Sequence, residues 1–347
     1  MAKVELLKPL ENETDLDEAL SRPTEGVLET LRAVPGDVLV LGAGGKMGPT
    51  LARMLRRACE QLSDLRSVYG VSRFSSADVA SQLRYCGVIP IACDLTDRAA
   101  VNRLPDAPNI IFMTGQKFGT ADRPELTWVM NTHVPAIVAE RFPASRIVAF
   151  STGCVYPFVP VTGRGSSESD ALDPAGEYAN SCVGRERIFT HFSQQNGTPL
   201  LLFRLNYAID LRYGVLLDVA QKVYRGLPVD VSMGYVNVIW QRDANARAIQ
   251  CLDFTSSPAA ILNVTGRQRV SIRELAQQFG RLFGREPQIT QHEAPTALLS
   301  DATRSFDLFG PVTVSLDEMV TATANWVSLG GRSLGKPTHF ETRDGQY

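Results

Sequence analysis

Val38-Leu39-Val40-Leu41-Gly42-Ala43-Gly44-Gly45-Lys46-Met47-Gly48 is the stretch that decides the fold. An apolar run enters a glycine turn, and an apolar-periodic segment, Leu51 to Leu55, follows at once. The pattern is a buried strand, a turn and a helix. Such a turn aims backbone N–H groups and the positive end of a helix dipole at one spot, which suits a pyrophosphate. Gly42 allows the tight turn, Gly45 lets the backbone approach phosphates, and Gly48 lets the helix pack on the strand. Gly44, Lys46 and Met47 share the loop and join them as candidate cofactor contacts. The spacing is G-x-x-G-x-x-G, and the strand–turn–helix context argues against a glycine loop with no ligand.

Outward from this stretch, short β-rich runs alternate with helical patterns. The runs are Val38–Leu41, Val68–Ser72, Val88–Cys93, Asn109–Met113, Arg146–Ser151 and Leu200–Leu205. Helical patterns such as Pro49–Leu62 and Glu125–Arg141 lie between them. Continuous apolar strands alternating with helices predict an α/β fold, a Rossmann-type doubly wound parallel sheet covered on both faces. Ligands of such sheets bind beyond the carboxyl ends of the strands. Residues 1–35 form an N-terminal extension with a helix near Thr24 to Ala33. Residues 36–208 form the dinucleotide-binding domain, to which 236–265 returns through a strand at Val236–Ile239. Residues 209–235 and 266–347 form a smaller substrate-binding lobe. In that lobe Tyr213–Gly226 reads as a helix. Ser271 with Glu274, and Ser315, mark the starts of two more, Ser271–Leu282 and Leu316–Val327. The tail from Gly330 to Tyr347 reads as either loose or wrapped on a neighbour.

Composition narrows the function. The 347-residue chain is 44% hydrophobic and 21% charged, an ordinary globular balance, and its net charge of -2 offers no basic footprint for nucleic acid. No segment approaches the roughly 20 apolar residues of a membrane span, and no apolar run precedes a small-residue cleavage site. The 6 scattered cysteines resemble no disulfide framework, so a cytoplasmic location is expected. His133, His191, His292 and His339 show no ligand spacing, so no metal is expected.

The second strand sets cofactor choice. An acidic residue at its tip would accept hydrogen bonds from a ribose 2′-OH and repel a 2′-phosphate. Here the tip reads Val68-Tyr69-Gly70-Val71-Ser72-Arg73-Phe74-Ser75-Ser76, without a carboxylate. Arg73 offers a planar cationic fork, and Ser72, Ser75 and Ser76 offer hydroxyls. This predicts NADP, with NAD as the alternative if Arg73 is only a solvated loop residue. After the third strand, Asp94 and Leu95 suit the adenine edge, although Asp94 could equally cap a helix.

Together these pieces resemble the extended short-chain dehydrogenase/reductases, the group of NAD(P)-dependent epimerases and dehydratases. Gly42, Gly45 and Gly48 match its opening fingerprint. Phe112-Met113-Thr114-Gly115-Gln116-Lys117-Phe118-Gly119 is similar to the loop after its fourth strand, in the form where a lysine contacts the pyrophosphate. Asn131 matches the family's helix asparagine. Ser151-Thr152-Gly153-Cys154-Val155-Tyr156-Pro157 matches its strand-end segment, and Tyr178-Ala179-Asn180-Ser181 matches the start of Y-x-x-S-K. Asn263-Val264 and the helices after Ser271 and Ser315 follow the same plan. The resemblance spans about residues 37–328. It implies cofactor contacts by Thr114, Gly115, Lys117 and Asn131, a substrate hydrogen bond from Thr152, and proton transfer by Tyr178. It also implies a homodimer packed through the helices at Glu125–Arg141 and Tyr178–Phe192.

Two departures matter. The family's lysine four residues after the tyrosine lowers the phenol's pKa and holds the nicotinamide ribose; here that place is Cys182. A neutral thiol does neither, so a phenol near its reference pKa of about 10 stays protonated at neutral pH. Tyr178 could then act as a general acid in carbonyl reduction. Another cation could replace the lysine: Lys117 is favoured over Arg185, which is expected to face solvent. The third reading is a silent dinucleotide-binding sensor. Cys154 and Cys182 lack a neighbouring histidine in sequence, and buried inert cysteine is the commoner situation. Nucleotide-sugar enzymes of the group also carry an arginine where this chain has Val236, which points to a smaller, sugar-like hydroxyl or carbonyl substrate. Asn206 and Tyr207 stand where the chain turns toward the lobe and are candidate substrate contacts. The function expected is an NADP-dependent oxidoreductase, with a cofactor-retaining epimerase or dehydratase as the alternative.

Overall fold

The computed structural model describes residues 10–74, 77–117, 123–336 and 338–345. Seven strands form a wholly parallel sheet: β1 (Val38–Leu41), β2 (Val68–Ser72), β3 (Ile89–Ala92), β4 (Asn109–Phe112), β5 (Arg146–Thr152), β6 (Leu200–Leu205) and β7 (Ala260–Val264). Their order is β7-β6-β5-β4-β1-β2-β3, so the strand sequence reverses between β1 and β4. Every side chain of β1 and β4 is buried. That is why these strands read as unbroken apolar runs rather than alternating ones. The edge strand β3 is only partly covered.

One face of the sheet carries the helices α2 (Glu25–Ala33), α3 (Gly48–Gln61) and α8 (Gln241–Gln250), whose Val27, Leu31, Leu51, Leu55, Ala248 and Ile249 pack against the strands. Two further helices are α4 (Ala77–Tyr85) at the edge and α5 (Val134–Arg141) on the opposite face. The helix α6 (Gly176–Asn196) also lies on that face, through Phe189 against Phe112. The approach to α5 is one continuous helical rod, Pro124–Trp128 followed by a single π turn, Val129–His133. A separate apolar core belongs to the lobe, built by α7 (Val215–Arg225), α9 (Ile272–Phe283) and α10 (Leu316–Ser328). In α9 the buried Ile272, Leu275, Ala276 and Phe279 follow helical spacing, opened by Ser271 accepting from the Glu274 N–H at 3.2 Å.

The N-terminal extension is folded onto both cores. The sequence reading marks only its second helix; a first, α1 (Glu13–Leu20), is capped by Asn12 and buries Leu16 and Leu20 in the lobe. Arg57 and Arg53 of α3 pair with Glu18, and buried Arg66 donates to the carbonyls of Leu31 and Val34 at the end of α2. The strand expected at Val236–Ile239 is in fact two short pieces with different partners. Tyr235–Val236 runs antiparallel to Val270–Ser271, while Ile239–Trp240 runs parallel to Ala208–Ile209. The described residues of the tail pack against the lobe of the same chain. Thr338 donates twice to Asp218 of α7, Phe340 is buried in the lobe, and Arg343 donates to the Thr296 carbonyl.

Candidate active site

A cavity of about 380 Å³ opens beyond the carboxyl ends of β1, β4, β5 and β6, beside the point where strand order reverses. Its floor is the glycine turn. Gly42 and Ala43 donate to the Val71 carbonyl of β2 at 2.8 and 3.0 Å, and Gly45 closes the turn onto the Gly42 carbonyl at 3.0 Å. Gly42 has φ +97°, and a Cβ there would meet the Met113 and Thr114 backbone at 3.0 Å. A Cβ on Gly48 would stand 2.7 Å from the Ala43 backbone, so helix and turn touch main chain to main chain. Gly44 packs its Cα against Ser72 at the tip of β2.

The turn, with Lys46, Met47, Gly115 and Lys117, lines the cavity together with Thr152, Tyr178, Asn206 and Tyr207. The remaining predicted residues lie around it. Asn131 is wholly buried in the π turn and serves the loop indirectly. Its amide exchanges two 3.0 Å hydrogen bonds with the Gln116 backbone and donates to Ser181 at 2.8 Å. A π turn shifts one side chain out of helical register, and here it delivers that amide between loop and α6. Arg73 is exposed beyond β2, and Leu95 is buried beyond β3. Asp94 accepts from the Thr96 N–H and hydroxyl, which together with the Arg73 charge keep its carboxyl below the usual range. Asp94 thus caps a local turn, while Asp97 caps the following helix. Ser75, Ser76, Phe118 and Gly119 lie outside the described residues.

Helix α6 holds the main correction. Arg185 does not face solvent: it is 5% exposed and lines the cavity. It donates to the Phe150 carbonyl at 2.8 Å and to Asn131 Oδ1. Tyr178, Cys182 and Arg185 follow i, i+4, i+7 spacing, one face of α6. The cation absent at Cys182 therefore stands one turn further along. Cys182 is buried with Val155, Tyr156 and Val183, and it shares a hydrogen bond with the Tyr178 hydroxyl. Burial raises the Cys182 thiol to about 11 and holds the Tyr178 phenol well above 10, with Arg185 opposing both shifts. Both groups are protonated at neutral pH. Lys117 also turns inward, its Nζ 3.4 Å from the Thr338 carbonyl and 5.9 Å from the centre of the Tyr178 ring.

Thr152, at the end of β5, is 9% exposed, and its Oγ1 accepts from the Cys154 N–H at 3.2 Å, leaving its own proton to donate. Its neighbour Ser151 is anchored below to Glu186, which pairs with Arg204 at 2.7 Å; Arg204 then reaches Tyr156, and Tyr156 reaches Asn263. Tyr207 lines the far wall in a left-handed conformation, φ +41°, that non-glycine residues rarely adopt. Val236 is buried in the lobe core, away from the cavity. Sequence reasoning missed Tyr213, Gln241 and Lys336 as lining residues.

A nicotinamide dinucleotide fits these surroundings. Gly42, Gly45 and Gly48 line the cavity directly, so backbone there is open to a ligand. Two buried donors, Thr114 Oγ1 and Arg185 Nε, have no hydrogen-bond partner among the described residues. Such atoms are costly to bury unless something completes them.

Residues 38–209 match the NAD dependent epimerase/dehydratase family. Across those residues the chain belongs to it. The family is one of enzymes, and solved structures extend the likeness beyond the matched segment. UDP-glucose 4-epimerase of Thermotoga maritima superposes with a TM-score of 0.67 at 15% identity, over 84% of this chain and 98% of that one. DesIV, the dTDP-glucose 4,6-dehydratase of Streptomyces venezuelae, solved with NAD, gives 0.71 at 16%, over 84% and 97%. UDP-glucuronic acid 4-epimerase of Bacillus cereus, also with NAD, gives 0.69 at 14%, over 84% and 99%. At these identities the likeness is one of fold. No curated protein sequence matches the chain.

Proposed function

We propose that this member of the epimerase/dehydratase family is an NADP-dependent reductase of a small sugar-like carbonyl compound. The observation that carries the reading is Tyr178 on the cavity wall with the Cys182 thiol one turn on in place of a lysine, where burial holds its phenol above the ordinary 10. A chemistry that starts by oxidising an alcohol needs a base at this place. One that starts by reducing a carbonyl needs an acid, and the acid is what the site holds.

A dinucleotide bound at the glycine turn would supply the hydride. The chain's own residues do the rest. Gly42–Gly48, Thr114 and Lys117 hold phosphates, and Arg73 with Ser72 meets a 2′-phosphate beyond β2. Thr152 donates a hydrogen bond to the carbonyl oxygen, and Tyr178 gives that oxygen its proton as negative charge develops on it. Arg185 then stabilises the phenolate left behind, which is the part the family's lysine plays in the resemblance. Val236 in the place of a diphosphate-binding arginine supports a substrate without a nucleotide.

A second reading, a cofactor retained through a full epimerase or dehydratase cycle, is favoured by the C-terminal segment. Lys336 lines the cavity, and Gly345 lies against Ala175 and Gly176 at the start of α6. It predicts cofactor in the purified protein and no net consumption. A homodimer is proposed through the rod at Pro124–Arg141 and α6, where Trp128 and Val129 are exposed. A cytoplasmic location is proposed from six free thiols.

The test follows NADPH consumption against a panel of small aldoses, ketoses and keto sugars. Tyr178→Phe should cut the rate by about 10²–10⁴-fold while cofactor affinity holds. In the wild type the reductive rate should show no Tyr178 limb below pH 10, the ordinary value that burial exceeds. No turnover in either direction with tight cofactor binding would replace the reductase with a silent binder.

A further inference from the structure

Beneath the glycine turn, one hydroxyl joins the cofactor side of the cavity to helix α8. Thr50 stands in the first turn of α3 and is buried. Its Oγ1 donates to the Met47 carbonyl at 3.1 Å. The same oxygen accepts from Gln241 Nε2 at 3.0 Å and from Asn245 Nδ2 at 3.1 Å, two amides one turn apart on one face of α8. A hydroxyl has one proton and two lone pairs, so Thr50 is filled. A carbonyl can only accept. The Thr50 proton therefore goes to Met47, and both amides must turn their NH₂ groups toward Thr50.

That orientation is unfavourable for Asn245. With its NH₂ on Thr50, its Oδ1 is buried with no hydrogen-bond partner among the described residues. Orphaned acceptors of this kind are uncommon in cores and destabilise them. A leucine would fill the place without that penalty, so packing alone does not explain an asparagine there. What the amide supplies is a second donor to Thr50. Met47 also receives the Leu51 N–H at 3.0 Å, so its carbonyl is held along α3 by two donors. In a trans peptide the C=O and the next N–H point in opposite directions. Drawing the Met47 carbonyl into α3 therefore aims the Gly48 N–H out of the helix end, and Gly48 lines the cavity. Met47 is the N-cap and makes no side-chain cap of its own, which leaves that end open to a ligand.

We propose that Thr50 is a positioning residue for the dinucleotide. Through the Met47 carbonyl it fixes the Gly48 N–H that meets the pyrophosphate, and Gln241 and Asn245 hold its hydroxyl in place. The inference rests on the cofactor half of the reductase reading, and it names residues that the glycine spacing does not reveal. It also ties the two parts of the molecule together. Helix α8 follows directly on Ile239–Trp240, which pairs with Ala208–Ile209 where the chain leaves the sheet for the lobe. Gln241, at the start of α8, lines the cavity itself. The lobe entrance and the glycine turn thus share one hydroxyl.

The test is fluorescence titration with NADPH and with NADH of the wild type, Thr50→Val, Thr50→Ser and Asn245→Leu, each beside its melting temperature. Thr50→Val keeps the shape and removes the hydroxyl. It should weaken binding of the preferred dinucleotide about tenfold, the scale of one charge-assisted hydrogen bond, and Thr50→Ser should bind like the wild type. Asn245→Leu separates positioning from stability. It removes the orphaned carbonyl, so the melting temperature should hold or rise, while affinity falls about threefold with one of the two donors gone. Wild-type affinity in Thr50→Val, or a loss that Thr50→Ser does not recover, overturns the proposal. Should Thr50→Val give no cooperative melt, Asn245→Leu decides alone, and unchanged affinity there overturns it. If the wild type binds neither dinucleotide, the cofactor reading falls and this proposal with it. Binding in the wild type that survives Thr50→Val overturns this proposal alone.

Discussion

At the scale of single residues, the site turns on how Cys182 and Arg185 divide the work of one lysine. Cys182 is fully buried among apolar neighbours, and Arg185 already supplies a charge one turn on. Restoring the lysine would therefore bury a second cation beside Arg185. Cys182→Lys is expected to lower the melting temperature by several degrees and to give no gain in reductase rate; thermal unfolding and NADPH assays check this. A gain in rate would mean that Arg185 is no substitute. Lys46 makes a second prediction. Its folded pKa of about 7 lies below the ordinary 10.5, so between those values the unfolded chain holds a proton that the folded chain has released. Stability should then rise as pH climbs through that window. Denaturant titrations of wild type and Lys46→Met at pH 7 and 9.5 should show the wild type gaining on the variant; a parallel response contradicts it. The i, i+7 relation of Tyr178 and Arg185 is visible in the sequence, but α6 has polar residues on every side. Only its packing against β5 shows which arginine is inside.

At the scale of elements, the glycine turn is where sequence and structure agree most closely. Its strand and helix are separately predictable from apolar runs, and the glycines between them need the backbone contacts they make. Gly48→Ala tests this directly. Its Cβ would stand 2.7 Å from the Ala43 main chain, which cannot move without disturbing β1. A loss of about 1–3 kcal/mol in chemical denaturation is expected, along with weakened cofactor binding. A neutral substitution would mean that helix and turn are not in contact. Other elements were hidden for physical reasons. The π turn around Asn131 leaves no trace in apolar periodicity, because it changes register by a single residue within a helix that continues on both sides. The Val236–Ile239 run looks like one strand because three of its four residues are β-branched, with only Asn237 polar. It is buried against two different partners, and periodicity cannot register a change of partner.

At the scale of the whole molecule, the parallel sheet and its lobe were legible because helix and strand periods alternate along most of the chain. Long-range closure was not. The N-terminal helices and the C-terminal tail are tied down by contacts such as Arg57 with Glu18 and Thr338 with Asp218, between residues distant in sequence. No local pattern encodes such pairs, and Lys336 was therefore missed. The chain from Ser151 through Glu186, Arg204 and Tyr156 to Asn263 joins β5, α6, β6 and β7 beneath the site. Both charges of its ion pair are buried, with side chains 3% and 5% exposed. Arg204→Met would strand the Glu186 carboxylate and should cost about 3–5 kcal/mol, read from denaturant midpoints; a loss below 1 would show the network to be dispensable. The proposed NADP site places the dinucleotide at the glycine turn and its 2′-phosphate at Arg73. Its most direct test is a paired fluorescence titration of wild type and Arg73→Ala with NADPH and NADH, after any cofactor carried through purification has been measured. NADPH should bind more tightly than NADH, with the difference lost in Arg73→Ala. Equal affinity for the two in the wild type would contradict it.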